Sequence, residues 1–132
     1  MKVMVCGSIG YGGVDEIREF YEKIKQEGFE IVNHVEEQDM DYSHIQDFRD
    51  EKELCAKIVN HDLEYVKKAD VLVVIVKKPS YGTAIEMYVA KNEGKKIIVF
   101  APESVPTPWP LFFSDFIVTN ELDLFKILKS LK

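Results

Sequence analysis

Only two cysteines, Cys6 and Cys55, and one tryptophan, Trp109, occur in 132 residues. Two cysteines make no disulfide framework and no metal-ligand pattern, and they suit a reducing compartment. Long hydrophobic runs are missing as well. The longest, Val71 to Val76, has six residues, whereas a bilayer-crossing helix needs about twenty. No succession of basic, apolar and small residues opens the chain, which argues against a signal peptide and for the cytoplasm. A basic excess is also absent: 17 Lys and Arg face 23 Asp and Glu, for a net charge of −6. Without a basic stripe and interleaved aromatics, nucleic acid is disfavoured as a ligand.

What remains is an ordinary globular balance, 46% apolar and 30% charged, over a length that suits one domain spanning residues 1–132. The negative charge is concentrated. Glu36 to Glu53 carries eight acids against Arg49 and Lys52, which reads most simply as a solvated loop or helix face.

Val3 to Cys6 is a short apolar run closed by Gly7 and Ser8, so it predicts a buried first strand and its loop. From Asp15, the positions Ile17, Phe20, Tyr21 and Ile24 fall at helical spacing, and Gly28 stops that helix. Phe29 to Val32 predicts a second strand. A helix from about Lys52 to Asp70 follows, then the apolar, β-branched strand Val71–Val76, as a central parallel strand should be. A helix is predicted from near Thr83 to Asn92, ended by Gly94, and a fourth strand from Lys96 to Phe100. Prolines 102, 106, 108 and 110 are expected to forbid regular structure over the next ten residues. Phe116 to Val118 and Leu122 to Leu131 predict a fifth strand and a closing helix. Strands alternating with helices imply an α/β, flavodoxin-like (Rossmann-like) doubly wound sheet of about five parallel strands, order 2-1-3-4-5. In that order ligands bind beyond the carboxyl ends of the first and third strands, where the topology switches. The expected site is therefore built from the loops after Cys6 and after Val76.

The first loop, Gly7 to Gly13, holds four glycines in seven residues. Its backbone is either a flexible connection or a surface that lets a ligand approach closely. Neither a dinucleotide fingerprint nor a Walker loop fits its spacing, so no cofactor is expected. In the second loop Ser80, Gly82 and Thr83 stand where a helix begins, and the amides and dipole there favour an anion. Glu86 lies in the first turns of that helix. It is either a dipole-complementing residue or a pocket carboxylate kept ionised by the helix dipole, as a covalent nucleophile must be. Asp62 falls on the inward stripe Cys55, Ile58, Asp62, Val66 and Ala69. A buried acid is costly unless paired, so Asp62 caps something, meets a lysine or serves the pocket. Two carboxylates with divided roles are the usual equipment for cleaving a glycosidic bond. His34, His44 and His61 show no ligand spacing, and no metal is expected. His34 either edges the pocket or is a hydrogen-bonded structural residue, and Trp109 is either a core plug or an interface anchor.

The segments Cys6–Ile9, Asn33–Val35, Asn60–Glu64, Ala69–Val73 and Pro79–Glu86 occur in order, and together they resemble the nucleoside 2-deoxyribosyltransferase superfamily. The nearest branch by this likeness is the 2'-deoxynucleoside 5'-monophosphate N-hydrolases. The resemblance covers roughly residues 2 to 100 and implies a small-molecule nucleotide or nucleoside as partner. It implies Glu86 as the nucleophile and Asp62 as the residue that orients the sugar or protonates the departing base. Gly7, Ser8, Ile9, Gly10, Tyr11 and His34 would line the pocket, with Ser80, Gly82 and Thr83 at its anionic end. Related transferases carry an aspartate where Ser80 stands, to hold a 5'-hydroxyl. A serine there donates to a phosphate instead of repelling it, so Ser80 favours a monophosphate, and Lys77 and Lys78 add positive charge nearby.

Two positions depart from the resemblance. Met4 stands where such hydrolases have a tyrosine, and Gly10 where they have a phosphate-binding arginine. These departures keep open a nucleotide-binding sensor without turnover, beside base-exchange transfer. Tyr11 is the candidate for replacing the missing phenol. The resemblance also implies a homodimer in which residues after the fourth strand reach the neighbouring pocket.

Overall fold

The computed structural model describes residues 1–9, 13–36 and 42–132. Gly10 and Tyr11, both expected to line the pocket, fall outside these. Five strands, β1 (Lys2–Cys6), β2 (Glu30–Ile31), β3 (Val71–Ile75), β4 (Lys96–Phe100) and β5 (Phe116–Val118), form one sheet. Its order is β2-β1-β3-β4-β5, and every pairing is parallel. The helices are α1 (Val14–Gln26), α2 (Lys52–Lys68), α3 (Tyr81–Asn92), α4 (Trp109–Phe113) and α5 (Glu121–Leu131).

The alternation of side chains along each strand divides the core into two layers. Val3, Val5, Val71, Val73 and Ile75 pack with Ile17, Tyr21 and Ile24 of α1 and with Leu124 and Leu128 of α5. Met4, Cys6, Leu72 and Val74 pack on the other face with Val66 of α2 and with Met87 and Ala90 of α3. All five residues of β3 are buried, which explains its unbroken apolar run. Each such side chain contributes roughly 1.5–3 kcal/mol relative to exposure. Gly28 and Gly94 follow the ends of α1 and α3 with φ of 91° and 74°, a conformation in which a Cβ is penalised.

The structure corrects three sequence expectations here. The second strand is only two residues long, not four. The helix expected from Thr83 starts at Tyr81, because Ser80 is its N-cap and accepts from the Thr83 N–H at 3.3 Å. Regular structure is also not excluded from the proline-rich segment. Pro110 sits second in α4, where a first-turn residue has no intrahelical N–H bond to lose.

The short β2 creates a deficit at the sheet's rim. Val3 is paired there, its carbonyl accepting from the Val32 N–H at 2.8 Å. Val5, two residues on, faces the same side with no strand beside it. The phenol of Tyr21 fills that place, taking the Val5 N–H at 2.9 Å and lying 2.9 Å from the Val32 carbonyl. Tyr21→Phe leaves these buried backbone groups unpaired and should destabilise the fold by about 2–4 kcal/mol. Urea unfolding followed by circular dichroism would read this as a lower midpoint at unchanged slope.

Candidate active site

The switch point between β1 and β3 gathers the two acids singled out from the sequence. Asp62 projects from α2 and Glu86 from α3. A ring nitrogen of His34 and one carboxylate oxygen from each acid lie within 4.8 Å of one another. Beneath them Cys6 ends β1, fully buried on the same face of the sheet. Glu86 is buried and its Oε2 finds no hydrogen-bond partner among the described residues. This is also the described cluster whose donors have the spacing a metal ion needs. Positions 34, 62 and 86 are far apart in the chain, so no ligand motif announced it.

The electrostatics follow from burial. Desolvation pushes the Glu86 carboxyl well above the usual carboxylate range, and the nearby Asp62 adds to the rise. Burial thus acts against the expected stabilisation of an ionised Glu86 by the helix dipole. Glu86 is the sixth residue of α3, past the first turn in which the dipole acts, and desolvation outweighs it. Burial also raises Asp62, but a hydrogen bond from His61 works against the rise. Of the two carboxyls, Glu86 is therefore the one that burial pushes harder towards its neutral form. Cys6 is raised well above its ordinary value by burial, then by Glu86 and Asp62, and stays a neutral thiol.

His34 combines both roles left open for it. It is buried, its Nδ1 lies 2.8 Å from the Tyr21 phenol, and desolvation lowers its pKa to about 3. The same phenol oxygen lies 2.9 Å from the Val32 carbonyl, so one hydroxyl joins the His34 ring to the backbone at the rim of the sheet.

The loops around this centre contribute unevenly. Ser8 Oγ and Thr83 Oγ1 are buried without hydrogen-bond partners among the described residues. Gly7, Ser8 and Gly13 line a small cavity of about 160 Å³ with Glu16, Ile75, Lys77 and Lys78. Gly13 has no alternative, since a Cβ there would meet the Ser8 carbonyl oxygen at 2.1 Å. Ile9 packs into the core on the α1 side. Gly82 is exposed, with only Ser80 Oγ near a Cβ built on it, at 3.9 Å. Lys77 does not stand as free positive charge, because it pairs with Glu16 of α1 at 2.5 Å. A larger apolar cavity of about 530 Å³ lies between α3 and the segment from Val105 to Phe113, bounded by Ser80, Thr83, Met87, Tyr88 and Trp109.

Met4 is fully buried in the core and offers no hydroxyl. Tyr42, which the sequence reading passed over, stands near enough to the acids that Asp62 and Glu86 add to the effect of burial, and its pKa rises to about 12. Its ring is held edge to face on Phe48 at 5.5 Å. His61 was also missed as a site residue. Adjacent helical positions do not normally face one another, so spacing gave no hint that it bonds Asp62.

Comparison with known proteins bears on the family and the fold. The profile of the nucleoside 2-deoxyribosyltransferase family matches residues 6–123. A search of curated protein sequences finds no match. Among solved structures, a conserved protein from Enterococcus faecalis V583 is similar at 16% identity and TM-score 0.74, over 100% of this chain and 99% of the other. A 2-deoxyribosyltransferase from Bacillus psychrosaccharolyticus is similar at 16% identity and TM-score 0.71, over 94% and 90% of the two chains. The CMP N-glycosidase BcmB of Clostridium botulinum is similar at 20% identity and TM-score 0.55, over 98% and 99%. At these identities the likeness is one of fold.

Stability against pH should report the buried groups. Folding favours the neutral forms of both Glu86 and His34. Below the ordinary glutamate value of 4.5 only the His34 effect operates, and stability falls as acid forces it to charge. Above the ordinary histidine value of 6.5 only the Glu86 effect remains, and stability falls as pH rises through its elevated pKa. Glu86→Gln removes the alkaline loss. Its unfolding free energy in urea should exceed that of the wild-type chain at pH 8, by on the order of 1–3 kcal/mol, and the gap should close towards pH 5.

Proposed function

The chain belongs to the nucleoside 2-deoxyribosyltransferase family, and from that premise we propose that it hydrolyses the N-glycosidic bond of (deoxy)nucleoside 5'-monophosphates. The family's chemistry is at the N-glycosidic bond of nucleosides. The observation that carries the finer reading is the pair Asp62 and Glu86, held within 4.8 Å beside the N-terminus of a helix capped by a serine. Ser80 Oγ spends an acceptor site on Thr83 N–H and keeps its own proton for a phosphate oxygen. A CMP N-glycosidase has a similar fold, so the fold is compatible with cleavage of a nucleoside monophosphate.

In the mechanism the pair's single proton moves from Glu86 to Asp62 when substrate is bound. Ionised Glu86 attacks the anomeric carbon as the bond to the base breaks. The electron pair goes to the base nitrogen, which takes the proton from Asp62, and an ester to Glu86 remains. Water then attacks the anomeric carbon, Asp62 takes its proton, and Glu86 leaves as carboxylate. Both steps pass through an oxocarbenium-like state that the Glu86 charge stabilises. Ser8 and Thr83 hydroxyls and the glycine-loop amides bind the sugar phosphate, and His34 stays neutral at the pocket's edge.

Base exchange on unphosphorylated nucleosides is the second reading. It is favoured by the Lys77–Glu16 pair, which cancels a positive charge expected to meet phosphate. The proposal includes a homodimer. Trp109 and Phe112 are 69% and 78% exposed, and Tyr88 and Phe112 both stand edge to face against Phe113, a continuous apolar face that a second copy would cover.

A base-release assay with each nucleoside and 5'-monophosphate decides among the readings. Free base from monophosphates is expected, falling at least about 10³-fold in Glu86→Ala. Ser80→Asp should shift preference towards the unphosphorylated nucleoside by about 10²-fold, the scale of a phosphate facing an added carboxylate. A new nucleoside from mixed bases would favour transfer. Binding without base release, unchanged in Glu86→Gln, would favour the sensor. Sedimentation would show the dimer, and Trp109→Asp with Phe112→Asp should yield a monomer.

A further inference from the structure

We infer that His61 is a positioning residue that fixes the carboxyl of Asp62 for proton transfer, an inference that rests on the proposed hydrolysis at this site. Both residues lie on α2. His61 and Asp62 are neighbours on the helix, and side chains one residue apart diverge by about 100°. Their contact therefore requires both to bend towards each other. His61 Nδ1 nevertheless lies 3.1 Å from Asp62 Oδ1, and the two side chains are only 18% and 15% exposed.

The ring's attitude is set from below. His61 stacks on Tyr65, one turn further along α2, with centroids 4.4 Å apart and planes 26° from parallel. Lys68 in turn places its ammonium 4.7 Å from the Tyr65 centroid. The series Lys68, Tyr65, His61 thus runs up one side of α2 and ends on Asp62. An ionised carboxylate only accepts, so the ring nitrogen that meets it must carry the proton. His61 is assigned the Nδ1–H tautomer. Its Nε2, which is buried without a hydrogen-bond partner among the described residues, is then an acceptor.

Two consequences for the acid pair follow. Tying Oδ1 removes the rotation of the carboxyl about its terminal bond and leaves Oδ2 to exchange a proton with the ligand. Donation to Asp62 also favours its charged form, so that a proton placed on Asp62 is readily given up to the departing base. Neither effect requires His61 to touch the reacting atoms. A misplacement of about 1 Å at such a carboxyl costs about 10²-fold in rate, which sets the scale of the expected effect.

Three variants and one spectrum test the assignment. His61→Phe keeps a ring over Tyr65 and removes the donor; kcat for deoxynucleoside 5'-monophosphates should fall by about 10- to 100-fold, with KM changed less than about threefold. His61→Asn loses the ring but places an amide N–H where Nδ1 stood, and should recover most of the loss. Equal losses in the two variants, or none in His61→Phe, would overturn the inference, and urea unfolding would show that each variant is folded. The spectrum needs no turnover. Long-range ¹⁵N–¹H correlation of the wild-type chain should show His61 protonated at Nδ1, and Asp62→Ala should abolish that preference. An Nε2–H ring in the wild type, or one indifferent to Asp62→Ala, would overturn the inference as well. If the wild-type chain releases no base at all, the proposed function fails while the spectrum still decides whether His61 holds Asp62.

Discussion

The Tyr21 phenol is the contact on which the arrangement of this site depends. A parallel strand that stops after two residues leaves its neighbour with unpaired groups, and a buried N–H without a partner costs about 1–3 kcal/mol. By accepting from Val5 and reaching Val32, the phenol lets the chain leave the sheet early. That early departure is what brings His34 over the carboxyl end of β1. The same oxygen meets Nδ1 of His34 at 2.8 Å. One side chain of α1 thus substitutes for part of a strand and orients a ring at the candidate active site.

Burial governs the chemistry that results. Two carboxyls within 4.8 Å in a poorly hydrated place cannot both ionise cheaply. A proton is favoured most on the member with less hydrogen bonding. Glu86 has one oxygen without a hydrogen-bond partner among the described residues, whereas Asp62 has His61. A carboxyl held in its neutral form does not destabilise the folded chain at mildly acidic pH, and on the proposed mechanism Glu86 becomes a nucleophile only when ligand groups enter and rearrange the hydrogen bonds.

Much of this was legible before any coordinates. The apolar run Val71–Val76 and the alternation with helical periods led to the sheet order, and the order led to the loops that meet at the switch point. The stripe containing Asp62 was legible because a charge at an inward helical position is conspicuous. The ionisation of Glu86 was not, since sequence position reports nearness to a helix end but not depth of burial. His61 and Tyr42 were hidden for a different reason. Their value comes from rotamers and from a loop path, neither of which has a period. Lys77 illustrates the converse: its charge was visible, and its partner Glu16 lay across the fold on another helix.

The two edges of the sheet bear on how this molecule meets others. At one rim β2 has two residues, and at the other β5 has three. Strand-by-strand association needs a row of unsatisfied amides several residues long, and among the described residues the edge strands are shorter than that. Lys2 and Glu30 also set a charged pair at the β2 rim. A second molecule is therefore left with the helical layers as its handhold, so the chain is protected from endless sheet extension by the same brevity of β2 that makes room for His34.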